Sequence, residues 1–252
     1  MHHQAKVDEK KLAIWKSTTR FFSSCNHIQV IQNWNKRVIY VRQFETPQLT
    51  ALLCNPDKFI QSGHCLKDGD STTVTCVQLG NEQFVIKRYN ILSYWHAFRR
   101  AFRASRAAHC WHNAHLLNHY QLHTPSPVAM VEQRWGPIRR KAYYIMRFEA
   151  GESGLSVIKN ANVKQRERVL LDLHDDMQIM YANNISHGDL KANNLLWTDQ
   201  SAWSWLDLDG MRQYRSSLRF AKAWRKDMRR WLKNWREQPE IEQQIKHIFE
   251  WL

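Results

Sequence analysis

Between Ile28 and Tyr89 the apolar positions come in short β-branched and aromatic runs, HIQVI, RVIYVRQF, STTVTCVQL and QFVIKRY, broken by Asn, Asp and Gly. Runs of that length bounded by turn formers predict β-strands, so this part of the chain reads as sheet-rich. After Asn90 the period changes. In SYWHAFRRAFRASRAAHCWHNAHLLNHYQL apolar residues recur every three or four positions, which predicts a long helix that TPSPVA brings to an end. VAMVEQRW and KAYYIMRF read as strands again, and FEAGESG offers two glycines suited to a hinge. From Val163 to Asn183 a helix is predicted, with Val169, Leu170, Leu173, Met177 and Met180 as its buried stripe. A short strand at SWLDLDG and a basic helical tail complete the order, with no internal repeat and no low-complexity segment.

The chain has 252 residues, 43% of them hydrophobic, enough for one bilobal domain or two small ones around a real core. Its formal charge of +14 points to anionic partners: nucleic acid, phospholipid headgroups or phosphorylated small molecules. The five cysteines, Cys25, Cys54, Cys65, Cys76 and Cys110, form no CxxC pair. Neither a zinc site nor a disulfide framework is signalled, so no disulfide partner is expected and a reducing compartment is the simpler reading. No apolar run long enough to span a bilayer occurs, and the N-terminus carries charges where a signal peptide needs apolar residues. These features predict a cytoplasmic location, with peripheral attachment to the inner face of the inner membrane left open. No nucleic-acid-binding module is recognisable, and nucleic acid is not expected as a partner.

The stretch that carries chemistry is ISHGDLKANNLLW, Ile185 to Trp197, which sets His187, Asp189, Lys191 and Asn194 between two apolar flanks. Phosphoryl transfer needs a cation on the nucleotide phosphates, oxygen ligands for magnesium, a carboxylate for the attacking hydroxyl and a cover for the phosphates. FVIKRY puts Lys87 in a strand as a compact charge for the phosphates. Asp189 suits the hydroxyl, Lys191 the charge on the transferring group, and Asn194 with Asp207 of WLDLDG the metal. The turn in LKDGDSTTV keeps only Gly69, so the backbone near Ser71 and Thr72 is the candidate phosphate cradle.

From about Leu66 to Arg212 the order LKDGDSTTV, FVIKRYN, ASRAAHCWHNAHLL, TPSPVA, HGDLKANNLL, WLDLDGM resembles the protein kinase-like superfamily, and within it the lipopolysaccharide kinase (Kdo/WaaP) family. The resemblance implies an α+β, bilobal kinase-like fold, with an N-lobe of residues 1–146 and a C-lobe of residues 147–252. It implies ATP and Mg2+ as cofactors and an inner-core sugar of lipopolysaccharide, Kdo or heptose on lipid A, as acceptor. Gly188 stands where many regulated protein kinases place Arg, which argues against an activation-segment switch. His187 is implied to hold the loop against the Asp207 region rather than to move protons. No Glu lies between Tyr94 and Tyr120 to pair with Lys87, and His112, Asn113 or a carboxylate elsewhere are the substitutes left open. Asp209 stands where protein kinases have Gly after the metal-binding Asp and Phe, to add a metal contact or to cap the next turn.

Two further enzyme-or-not alternatives stand beside this reading: a protein Ser/Thr/Tyr kinase, and a catalytically inactive kinase-like binding module. The histidines His109, His112, His115 and His119 read as a solvated or substrate-facing stripe in preference to a metal site. In the tail, Met211 to Arg236, ten Lys and Arg stand against the single acid Asp227, with Phe220, Trp224, Met228, Trp231 and Trp235 at helical spacing. That stripe predicts a packed helix with a solvated basic face; the alternative is an interfacial helix on an anionic membrane.

Overall fold

The computed structural model describes residues 20–90, 104–136 and 138–250. Among these, the chain forms two compact units: one from the residues up to Leu116 together with Ser126–Phe148, the other from Leu117–Pro125 and the chain from Glu149 onward. Among the described residues seven α-helices accompany a large antiparallel sheet, a mixed α+β architecture.

The first unit is built on a seven-stranded sheet of β1 (Ile28–Gln32), β2 (Lys36–Val41), β3 (His64–Gly69), β4 (Thr72–Leu79), β5 (Glu82–Tyr89), β6 (Pro127–Trp135) and β7 (Ile138–Arg147). Their order across the sheet is β1-β2-β6-β7-β5-β4-β3, every neighbour antiparallel. The strand sequences alternate, so each strand sends residues to both faces. One face carries Val38, Tyr40, Val77, Phe84, Ile86, Val131, Tyr143 and Ile145 into a core closed by Leu49, Leu52 and Leu53. Leu52 is fully buried, and truncating such a side chain costs about 2–5 kcal/mol.

Those leucines belong to α1 (Pro47–Cys54), which is followed by α2 (Pro56–Ser62) inside the stretch read from sequence as strands. The helices form because each has a built start. The Thr46 side chain accepts from Leu49 N at 3.1 Å and that of Asn55 accepts from Lys58 N at 3.3 Å, each followed by Pro at the first helical position. The opposite face lies under α3 (Arg106–His119). Its Cys110 Sγ meets the Tyr89 hydroxyl at 3.0 Å, and the Arg106 guanidinium sits 4.7 Å from the Tyr89 ring centroid. The long helix expected from position 93 begins, within the described residues, at Arg106; residues 93–103 of that expectation lie outside them.

The second unit holds β8 (Gly151–Ser153), α4 (Gly154–Asn160), α5 (Val163–Ala182), β9 (Ile185–Ser186), β10 (Leu195–Thr198), β11 (Trp203–Trp205), β12 (Arg212–Gln213), α6 (Ser217–Lys233) and α7 (Pro239–Ile248). Strands β11, β10 and β8 make one antiparallel sheet, and β12 with β9 a two-stranded ribbon. Helix α5 starts at a reciprocal capping box between Asn162 and Gln165 and buries all five residues of its predicted stripe. The two glycines of FEAGESG answer to packing. A Cβ on Gly151 would lie 2.5 Å from Trp197 O, and one on Gly154 would lie 2.9 Å from Ala192 O. Close approach of neighbouring backbone requires glycine at both positions, and the boundary between the two units falls just before them, at Phe148 and Glu149.

Helix α6 buries Phe220, Trp224, Asp227, Met228 and Trp231, and the Tyr181 ring packs edge-on against Phe220 and Trp224. Trp235 just beyond is fully buried. The tail therefore realises the packed-helix expectation, and its tryptophans are spent on the core of this unit. No described helix is long and apolar enough to cross a membrane.

Candidate functional site

The loop from Ser186 to Leu195 owes its shape to three supports. The first is a glycine: Gly188 has φ +82°, and a Cβ there would lie 2.4 Å from Gly210 O, so only Gly fits. The second is His187, buried at 1% exposure, whose Nε2 donates to Leu206 O at 2.9 Å. The third is α6. Asp227 Oδ2 accepts from Ser186 Oγ at 2.6 Å and from Gly188 N at 2.9 Å, while Arg230 Nη1 donates to Gly188 O.

On this scaffold Asp189 stands about one-third exposed between two cations, with Lys191 Nζ 3.0 Å from Oδ2 and Arg230 Nη1 3.5 Å from Oδ1. Asn194 closes the turn, its Nδ2 donating to Asp189 O at 2.8 Å and its backbone N to Lys191 O at 2.9 Å. With the amide nitrogen so occupied, the Asn194 side-chain oxygen is the end left for a metal. Leu206 N donates to Asn194 O at 2.9 Å, which sets Asp207 one residue from a backbone bonded to Asn194. Asp189, Lys191, Asn194 and Asp207 are thus brought together within one unit. The sequence puts Asp207 on a strand; the strand ends at Trp205, and Asp207 takes a left-handed conformation, φ 56° and ψ 53°, before the short 3-10 turn Leu208–Gly210 that contains Asp209. A carboxylate and an amide oxygen are hard donors, the chemistry that Mg2+ selects.

Lys87 lies in the first unit on β5, an interior strand, so it is not an edge charge. It is buried at 8% exposure with its ammonium 5.3 Å from the Tyr89 ring. Pairing of Val74 with Lys87 and of Thr72 with Tyr89 puts Thr72 and Lys87 on the same face of the sheet. The candidate cradle is a two-residue turn, Asp70–Ser71, closed by the Gly69–Thr72 pair and pinned by Asn90, whose N donates to Ser71 O at 3.1 Å and whose Nδ2 donates to Asp70 O at 3.2 Å. The Thr72 hydroxyl accepts from Arg106 at 3.3 Å, which leaves its O–H, with the backbone N–H groups of the turn, as a donor for a phosphate.

Of the stripe read as solvated or substrate-facing, His119 is exposed, whereas His112 and His115 are covered by aromatic rings. His115 stacks on Phe21 at 4.2 Å and edge-on to Trp111 at 4.5 Å, and burial pulls its pKa down to about 4. His112 faces Phe22, and no group of three or more metal-ligating side chains occurs among the described residues.

Two loop-holding residues escaped the sequence reading. The sequence places Asp227 and Arg230 in a basic tail, yet Asp227 is 1% exposed. Its signal was present: the one acid of the tail falls at helical spacing within the apolar stripe of Phe220, Trp224 and Trp231, a position where a carboxylate needs buried partners. A third is Asp176 on α5, whose Oδ2 accepts from the buried Trp205 Nε1 at 2.9 Å. Burial, reinforced by Asp172 and Asp175, raises its pKa to about 6 against the opposing Trp205 hydrogen bond.

The sequence model of the lipopolysaccharide kinase (Kdo/WaaP) family matches residues 70–250. A search among curated proteins finds no match.

Proposed function

The chain belongs to the lipopolysaccharide kinase (Kdo/WaaP) family, a family of phosphotransferases, and from that premise we propose that it transfers the γ-phosphoryl group of ATP to a sugar hydroxyl of the lipopolysaccharide inner core, Kdo or heptose. The observation that carries the proposal is the bonding around Asp189. Its backbone is fixed by Asn194 and by the Gly188 peptide, and its carboxylate faces outward between Lys191 and Arg230. A carboxylate so held can orient an acceptor hydroxyl and take its proton. The two cations are placed to offset charge that develops on a transferring phosphoryl group.

In this reading the residues to Met146 act as an N-lobe and those from Arg147 as a C-lobe of a bilobal kinase-like fold. Lys87 grips the nucleotide phosphates, with the backbone at Ser71 and Thr72 as their cover, and Asn194 and Asp207 hold Mg2+. When bound, Mg-ATP supplies the phosphoryl group and the metal's positive charge. Asn113 is the substitute favoured here for the missing helix glutamate, because it is buried and follows by one turn the Cys110 that touches Tyr89, two residues from Lys87 on the same face. His112, turned toward Phe22, is the poorer candidate. The location proposed is cytoplasmic and peripheral to the inner membrane, where a lipid A-linked acceptor is reached from the aqueous side.

The test is incubation of purified protein with Mg-ATP and a series of truncated lipopolysaccharide cores, read by mass spectrometry. One added phosphate on one core and not on the next shorter one is expected. Asp189→Ala should abolish the gain with ATP affinity nearly unchanged. Full turnover by that variant, or phosphate on polypeptide instead of lipid, would overturn the proposal.

A further inference from the structure

With the tail tryptophans buried, the exposed indoles are found elsewhere. Among the described residues, the tryptophans that stand more than a third exposed are Trp34 at 72% and Trp135 at 67%. Both leave the same end of the seven-stranded sheet. Trp34 lies in the turn between β1 and β2, and Trp135 ends β6, whose pairing partner at that end is the start of β2. Arg134 N donates to Asn35 O at 2.7 Å and Gly136 N to Trp34 O at 3.0 Å, which ties the two turns together. The arrangement is fixed on its inner side: Gly136 has φ +58°, and a Cβ there would come within 2.9 Å of the Trp34 ring. A rigid turn that holds two large indoles in water is unfavourable unless another phase covers them.

The surroundings say which phase. Lys36, Arg134, Arg139 and Arg140 all lie at these strand ends, but Lys36 Nζ donates to Leu53 O and Cys54 O, and Arg134 and Arg139 pair with the buried carboxylate of Glu132, which leaves Arg140 as the exposed cation. The exposed charge of the rim is therefore positive, carried by Arg140, with Glu132 and its arginine partners turned inward. A second copy of the same positive tip would be repelled, whereas an anionic surface would be attracted. Indoles at headgroup depth with Lys and Arg beside them are the pattern of an interfacial anchor.

We propose that this end of the sheet docks on an anionic phospholipid bilayer, with Trp34 and Trp135 entering the headgroup layer and Arg140 beside them facing lipid phosphates. The choice of a bilayer over a polynucleotide rests on the proposed lipid-linked acceptor; the docking itself needs neither nucleotide nor acceptor, so it can fail or hold independently of phosphoryl transfer. The experiment is co-sedimentation of the full chain, without ATP, with vesicles of phosphatidylcholine alone and of an equal mixture of phosphatidylcholine and phosphatidylglycerol. The wild type should partition onto the mixed vesicles and release as salt rises. Trp34→Ser with Trp135→Ser should weaken that partitioning at least about tenfold, with an unchanged thermal melt showing that the fold survives. Arg140→Gln, at an exposed position, should weaken it and flatten its salt dependence. Lys226→Gln with Arg229→Gln, on the exposed face of α6, should leave it intact. Wild-type binding by the tryptophan pair, loss of binding in the α6 pair alone, equal binding to both vesicles, preferential binding of a single-stranded oligonucleotide, or a dimer that the tryptophan pair dissolves would each overturn the proposal.

Discussion

Replacing Asp176 by Asn should stabilise the protein at neutral pH, although it removes a charge that makes a hydrogen bond. In the folded state the Asp176 carboxyl titrates near 6, raised from 3.8 chiefly by burial. The folded state therefore holds a proton more tightly than the unfolded chain between these two values. Raising pH through that window strips the proton at the expense of the fold, and above about 6 the full penalty remains. The distance between the two values corresponds to about 3 kcal/mol, an upper figure for a side chain that keeps some contact with water. Asn cannot ionise, yet its carbonyl oxygen can still accept from Trp205 Nε1. The variant should match the wild type near pH 4 and exceed it by up to about 3 kcal/mol at pH 7. Urea unfolding midpoints measured across that range, at constant slope, read the difference directly. A gap that is the same at both ends, or a variant less stable at pH 7, would refute the reasoning. A destabilising carboxylate here has a use that accounts for its presence: it orients the indole two residues ahead of Asp207, whose ring in turn leans on His187 at 5.8 Å.

Asp227→Ala should leave Ser186 Oγ and Gly188 N buried without their acceptor, at about 1–3 kcal/mol each. A lowered denaturation midpoint together with lost phosphoryl transfer is expected, and full activity in the variant would remove Asp227 from the loop's support. Gly188→Ala should cost more than about 2 kcal/mol, since it adds left-handed strain to a Cβ placed 2.4 Å from Gly210 O; a thermal melt and a turnover assay check it, and a variant with wild-type values in both would contradict the close approach.

What the sequence showed of the fold was whatever repeats with a period. The strands at Ile28, Thr72 and Glu82 and the stripe of α5 follow from alternation and from three-to-four spacing. Helices α1 and α2 were missed because seven or eight residues are too few for a periodic signal beside the strands around them. Their starts were nonetheless written in Thr46-Pro47 and Asn55-Pro56, where a capping side chain precedes a proline. In the site, the spacing of HGDLKANN gave Asp189, Lys191 and Asn194, because a single tight loop joins them. Asp227 and Arg230 were not legible in that way. Their part depends on α6 crossing the loop, and nothing in a stretch of basic residues states which face turns inward until the apolar stripe is used to orient the lone acid.

That stripe also explains why one helix can hold the loop so closely. Asp227 and Arg230 are three residues apart and so share a face of α6. The carboxylate takes the N–H of Gly188 and the guanidinium takes its C=O, so the two ends of the residue preceding Asp189 are gripped by opposite charges. Neither contact would serve alone. A carboxylate by itself would leave the carbonyl free to rotate, and a guanidinium by itself would leave the N–H without an acceptor beside a residue at 1% exposure. Because Arg230 reaches on to Asp189 Oδ1, the same side chain that fixes the backbone also sets the field at the carboxylate. The loop's geometry and its charge therefore form together, when the aromatic stripe of α6 seats against Tyr181 and the helix can present both residues at once.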